Sequence, residues 1–170
     1  RNVTLAPAKG GKALAAASTD LDGKAQTASF GFANELAPGK YTLAMDYSGK
    51  IGTQANGLFA IDYRNEFGQQ RALFTQFENS DGRRFVPSWD EPNYKATFDL
   101  EAIVPASQMA VSNMPVAQRS ELGNGLAKVK FATSPKMSTY LLFFALGDFE
   151  RLTDSVDGVE VGVVTQRGSV

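Results

Sequence analysis

The 170-residue chain contains no histidine and no cysteine. Without imidazole there is no Ser-His-Asp or Cys-His nucleophile pair. The His-Glu-x-x-His helix, in which two ring nitrogens bind zinc and the glutamate acts as base, is excluded too. Without thiols there is no disulfide and no thiolate-held metal or iron–sulfur cluster. Long apolar runs are also missing. A membrane-spanning helix needs about 20 apolar residues, and the longest run, residues 140–146, has the length of a buried strand. Net charge is nearly absent: 17 Lys and Arg stand against 18 Asp and Glu, giving −1. No long-range field of that size recruits nucleic acid or an anionic membrane, and neither is expected as a partner. The opening Arg1-Asn2-Val3-Thr4-Leu5 lacks the charged and apolar regions of a signal peptide. The chain does not begin with Met, which reads as processing or truncation. Compartment is left open, because a lack of cysteine fits cytoplasm and periplasm alike.

What is present reads as β structure. Hydrophobic residues make up 43% and charged ones 21%, a globular composition, and the length suits one domain over 1–170. Residues 40–47 alternate, with Tyr41, Leu43, Met45 and Tyr47 on one face. Phe98, Leu100, Ala102 and Val104 alternate with Asp99 and Glu101, and Val129 and Phe131 with Lys128 and Lys130. Segments 58–65 and 69–77 read as a strand pair joined around Glu66-Phe67-Gly68, and 159–165 as a last strand. Turn pairs recur at Gly10-Gly11, Asp22-Gly23, Pro38-Gly39, Asn56-Gly57, Asn124-Gly125 and Asp157-Gly158. The fold class is therefore all-β, an antiparallel sandwich or saddle-like domain of short strands. One or two helical turns are the most it should hold, the clearest over 79–85.

The densest stretch is 75–98, TQFENSDGRRFVPSWDEPNYKATF. A strand end leads into the turn cluster Asn79-Ser80-Asp81-Gly82. Arg83 and Arg84 follow, within reach of Asp81, Asp90 or Glu91. Pro87 and Pro92 stiffen the Ser88-Trp89-Asp90-Glu91 corner by fixing φ and removing donors. Arg83, Arg84, Trp89, Asp90 and Glu91 are read as a structural ion-pair corner rather than an acid–base site. Trp89, the only tryptophan, is expected in the core or at a domain interface.

This stretch resembles the non-catalytic N-terminal domain of zinc aminopeptidases of the aminopeptidase N family. In order, Ser112-Asn113-Met114-Pro115, the run from Ser134-Pro135-Lys136-Met137-Ser138-Thr139 to Tyr140-Leu141-Leu142, and Gly147-Asp148-Phe149-Glu150 extend the likeness over 41–152. The resemblance implies a saddle-shaped β domain that packs on a catalytic domain of the same polypeptide. It also implies that several strands normally precede the segment around Val3, so that open strand edges invite self-association of the fragment. It further implies that Glu78 holds the α-amino group of a peptide N-terminus, with Gln76 lining the pocket beside it. An ammonium calls for a carboxylate, and residues i and i+2 of a strand point the same way. Asn79 stands where many members carry proline. Zinc, the cofactor of the parent, is implied for the catalytic domain and not for this chain, which lacks the ligands.

Other features carry ordinary readings. Asp20-Leu21-Asp22-Gly23 echoes a calcium loop, but Gly31 stands where its closing glutamate belongs, so a hairpin turn is expected. Asn2-Val3-Thr4 fits a glycosylation sequon. Gly123-Asn124-Gly125 lacks the strand-to-helix setting of a phosphate loop. Residues 140–146 and Met137 are read as core. Three functions remain: a substrate-positioning domain of a zinc aminopeptidase, a free-standing β-sandwich binding module, and a metal-free hydrolase using carboxylates. No spacing of acids argues for the last.

Overall fold

A computed structural model describes residues 1–169, and its backbone divides into two compact units, 1–49 and 50–170. The first unit holds β1 (Thr4–Pro7), β2 (Leu14–Ala15), β3 (Ser18–Asp22), β4 (Thr27–Gly31) and β5 (Tyr41–Ala44). β1 runs antiparallel between β2 and β5, so Leu5 stands opposite Leu14 on one side and Leu43 on the other. β3 and β4 form a separate hairpin. Asp22 Oδ1 accepts hydrogen bonds from the N–H groups of Lys24 and Ala25 at 2.8 and 2.9 Å. The aspartate therefore caps its own turn, as the sequence predicts for a hairpin.

The second unit begins its regular structure with β6 (Gly57–Asn65) and β7 (Gly68–Gln76), which pair over their whole length around Glu66-Phe67. It continues through β8 (Lys95–Ala96), β9 (Glu101–Pro105), β10 (Met109–Ser112), β11 (Val116–Gly123) and β12 (Leu126–Phe131). The last elements are β13 (Met137–Ser138), β14 (Phe144–Gly147), β15 (Phe149–Val156) and β16 (Val159–Gln166). Helix is limited to single 3-10 turns at Gly82–Arg84 and Thr139–Leu141 among the described residues. Every strand pair is antiparallel. Asn124-Gly125 and Asp157-Gly158 have positive φ at both positions. That is the geometry that lets two-residue turns follow the strand twist, and it explains those residue choices.

Alternation builds the core. A four-stranded sheet in the order β10-β14-β7-β6 turns Ala110, Phe144, Leu146, Leu73 and Leu58 to one side. There they meet Val104, Val129 and Phe131 from the β11-β12-β9 sheet, so two sheets enclose one apolar layer. Residues of the opposite parity, Ala72, Phe74, Ala145, Val111 and Tyr63, gather with Phe149 on the sheet's other face. The Phe74 ring stacks obliquely between Phe59 and Phe149, with centroids 6.2 and 5.9 Å away.

The structure corrects three readings. Trp89 is 73% exposed, so of the two places expected for it, core and domain interface, the core is ruled out; Asp90 beside it is the buried residue of the corner. Residues 140–146 are not one strand. Their first two residues belong to the 3-10 turn, Leu141 is exposed, and only Leu142, Phe144, Ala145 and Leu146 are buried. The strand seen within 40–47 covers only Tyr41–Ala44, and Tyr47 is exposed. Alternation is a property of neighbours along the chain; which face is covered depends on what packs there.

Candidate functional site

Gln76 is the last residue of β7, and Glu78 opens the turn that follows. Both are exposed, while Thr75 and Phe77 between and before them are buried. That parity comes from the strand's two-residue period carried one step past its end. The two polar side chains therefore leave the same side of the backbone. Among the described residues neither has a hydrogen-bond or ion-pair partner. The peptide bond from Glu78 to Asn79 is cis.

The segment around Glu78 is held at both ends. Phe77 is fully buried, with its ring centroid 5.4 Å from that of Phe85 across the turn. The Phe77 carbonyl accepts from Asp81 N–H at 2.9 Å, and the Gly82 carbonyl accepts from the N–H groups of Phe85 and Val86, both at 2.9 Å. Asp90 supplies the second anchor. Its Oδ2 accepts from the backbone N–H of Arg83 at 2.9 Å and from Arg83 Nε at 3.1 Å. Its carbonyl accepts from an Arg83 terminal nitrogen at 2.7 Å, and Glu91 lies 3.4 Å from the same group. By accepting these bonds Asp90 holds the Arg83 guanidinium above its usual pKa, against a smaller opposing effect of burial.

The corner residues thus separate into two groups. Arg83, Asp90 and Glu91 form one network, and Asp90 is only 4% exposed. Arg84 points elsewhere, pairing with Asp81 at 2.6 Å on the exposed side of the turn. Trp89 contributes its backbone to the corner and leaves its indole in solvent. Three further residues complete the arrangement: Gly82, Ser138 and Thr139. A Cβ on Gly82 would lie 2.8 Å from Asp90 Oδ1 and 2.7 Å from Thr139 Cγ2. Ser138 Oγ donates to the Pro92 carbonyl at 2.6 Å. Asp-Gly ahead of two arginines signals a turn, but no local signal links it to residues more than fifty positions on.

Among the described residues no three His, Cys, Asp or Glu side chains stand together as metal ligands. The residues present do not fit a zinc site. A cavity of about 390 Å³ opens on the second face of the four-stranded sheet, lined by Ile61, Tyr63, Phe74, Phe143, Val164 and Thr165 among others. None of the sequence-predicted site residues lines it. Asn2 of the sequon donates from its side-chain amide to Asp46 at 2.6 Å. Asp99 accepts from Thr133 at 2.5 Å, just before β9 and after β12, and Glu101 pairs with Lys128 at 2.9 Å across those two strands.

Residues 4–141 match the sequence pattern of the Peptidase M1 N-terminal domain. The chain is 42% identical to an aminopeptidase N of Acetobacter pasteurianus over 89% of its length, which is 43% of that protein. It is 34% identical to aminopeptidase M1 of Arabidopsis thaliana over 98% of its length, 19% of that protein. A puromycin-sensitive aminopeptidase of Caenorhabditis elegans is 35% identical over 93% of the chain and 17% of its own length. The chain therefore spans less than half of each of these relatives. An all-β architecture, together with a family match that covers most of the sequence, identifies this chain as a member of the Peptidase M1 N-terminal domain family.

Proposed function

We propose that this chain serves as the N-terminal, non-catalytic domain of a zinc-dependent aminopeptidase and that Glu78 and Gln76 bind the amino end of the peptide substrate. In this reading residues 1–170 act as one domain that packs on the catalytic domain of the same polypeptide. Zinc ligands and the general base come from other parts of the parent, since the chain has no histidine or cysteine. The chemistry left to these residues is recognition. A carboxylate accepts charge-assisted hydrogen bonds from an α-ammonium, and the contact strengthens as packing domains exclude water. Gln76, leaving the same side of the backbone, offers both a donor and an acceptor beside it.

One observation carries the reading: Glu78 projects from a turn anchored on both sides, yet its own carboxylate has no partner among the described residues. A surface glutamate is common, but an unpaired one on a firmly held turn is free to bind a cation. The test is Glu78→Gln in the full-length enzyme. Hydrogen bonds to charged groups contribute about 1.5–3 kcal/mol, so kcat/KM for peptides with a free amino end should fall roughly ten- to a hundredfold. An unchanged kcat/KM would remove Glu78 from substrate binding.

A further inference from the structure

The buried carboxylate of Asp90 makes no contact that suits a substrate. It faces inward, 4% exposed, and spends Oδ2 on the backbone N–H and the Nε of Arg83. Its Oδ1 lies against Gly82, close enough that a Cβ there would approach to 2.8 Å. Both contacts fall on the returning limb of the turn that begins at Glu78. The outgoing limb is fixed by Phe77 in the core and by the Phe77 carbonyl, which accepts from Asp81 N–H. With only the first limb fixed, the turn could pivot about Phe77. Fixing the second as well leaves one backbone path through Glu78, and hence one direction in which its side chain leaves the turn.

We propose that Asp90 is a positioning residue for substrate binding: latched to the Arg83 backbone and seated on Gly82, it sets the direction in which Glu78 presents its carboxylate to the substrate ammonium. This rests on the reading of Glu78 given above. The role differs from general stabilisation, because its loss is felt by ligands carrying the α-amino group and only while Glu78 is present. Arg83 serves as the other half of the latch through its main chain, so the identity of its side chain matters less than the acceptor at Asp90.

Full-length enzyme and two competitive inhibitors decide the matter: leucine hydroxamate, and 4-methylpentanohydroxamic acid, which differs only in lacking the amino group. Asp90→Ala is expected to weaken leucine hydroxamate about tenfold while shifting the amine-free compound less than about twofold, the scale of one charge-assisted hydrogen bond. On a Glu78→Gln background the same substitution should bring no further amine-selective loss, because interacting residues are non-additive. Asp90→Asn keeps an acceptor for the Arg83 N–H and should bind leucine hydroxamate within about threefold of the wild type. Gly82→Ala, which displaces Asp90 without removing it, provides a second route to the same amine-selective loss. Circular dichroism identifies which variants are folded, and the comparison is read from those. Equal weakening of both inhibitors, no weakening of either, or an amine-selective loss that persists beside Glu78→Gln would overturn the proposal. If Glu78→Gln alone fails to distinguish the two inhibitors, it is the Glu78 reading that falls instead.

Discussion

Thr75 joins itself to Phe144 in both directions: its Oγ1 donates to the Phe144 carbonyl at 3.3 Å and accepts from the Phe144 N–H at 2.8 Å. β7 and β14 pair directly at Phe74–Ala145 and Leu73–Leu146, so the threonine hydroxyl extends that ladder by one step in the core. Thr75→Val keeps the shape and leaves two buried backbone groups unpaired. Such groups cost about 1–3 kcal/mol, and thermal or urea unfolding should register that loss. Thr75→Ser, which retains the hydroxyl, should lose less; an equal loss from both would assign the effect to packing of the methyl group.

Gly82 tolerates no side chain where it sits. Its missing Cβ is the space in which Asp90 Oδ1 and Thr139 Cγ2 meet it. Gly82→Ala should destabilise the chain by about 1–3 kcal/mol, the usual scale of overpacking. Gly23, with open space around it, is the control. Gly23→Ala should change the melting temperature by much less, and matched losses at the two sites would refute the crowding argument.

Across β6 and β7, Arg71 donates to both oxygens of Asp62 at 2.6 and 2.8 Å. The hydrogen bond with Arg71 is the chief reason the Asp62 carboxyl lies below its ordinary pKa, opposed by desolvation and aided to a lesser degree by the Arg71 charge. A lowered folded pKa means the contribution is complete above the unfolded aspartate value of about 3.9 and fades as pH falls through the folded one. The melting-temperature gap between wild type and Asp62→Asn should be open at about pH 7 and close by about pH 2. Because both side chains are exposed, that gap is small and salt should narrow it. A gap that widens in acid would contradict the assignment.

Among the described residues β15 and β16 pair only with each other, and one face of that hairpin carries Leu152, Val156, Val159, Val161 and Val163, all exposed. Two-stranded ribbons with an uncovered apolar face and two free edges favour contact with further chains. The isolated chain is therefore expected to self-associate, its mass in light scattering rising with concentration. Val163→Lys should shift that rise to higher concentration. A monomer mass at all concentrations would exclude the contact.

The corner around Trp89 shows where local reading reaches its end. The sequence places two arginines within a few residues of three acids, and proximity alone allows any pairing. In the structure Arg83 takes Asp90 and Glu91, while Arg84 takes Asp81 on the open side. The pairing follows from the 3-10 turn at Gly82–Arg84, which sends consecutive side chains in different directions. Asp90, bonded to that turn through the Arg83 N–H, is buried while the large indole beside it lies outside, reversing the order that hydrophobicity predicts. In β9 and β12, by contrast, alternation is enough. Val104, Val129 and Phe131 are buried, Glu101 and Lys130 exposed, because a strand between one covered and one open face needs no further instruction.

From residues alone came the antiparallel β class, the turn positions set by Asn-Gly and Asp-Gly, the lack of histidine and cysteine and of the zinc and nucleophile motifs that need them, and the family likeness around 75–98. These rest on chemistry that each residue carries wherever it is placed: a backbone preference, a period of two, or a missing imidazole. Tertiary packing alone decided which acid lies buried against Gly82, how the 140–146 run divides, and that Glu78 has no partner among the described residues while its neighbours are tied down. Those outcomes depend on contacts between segments tens of residues apart, and the energy of such contacts is not written in either segment by itself.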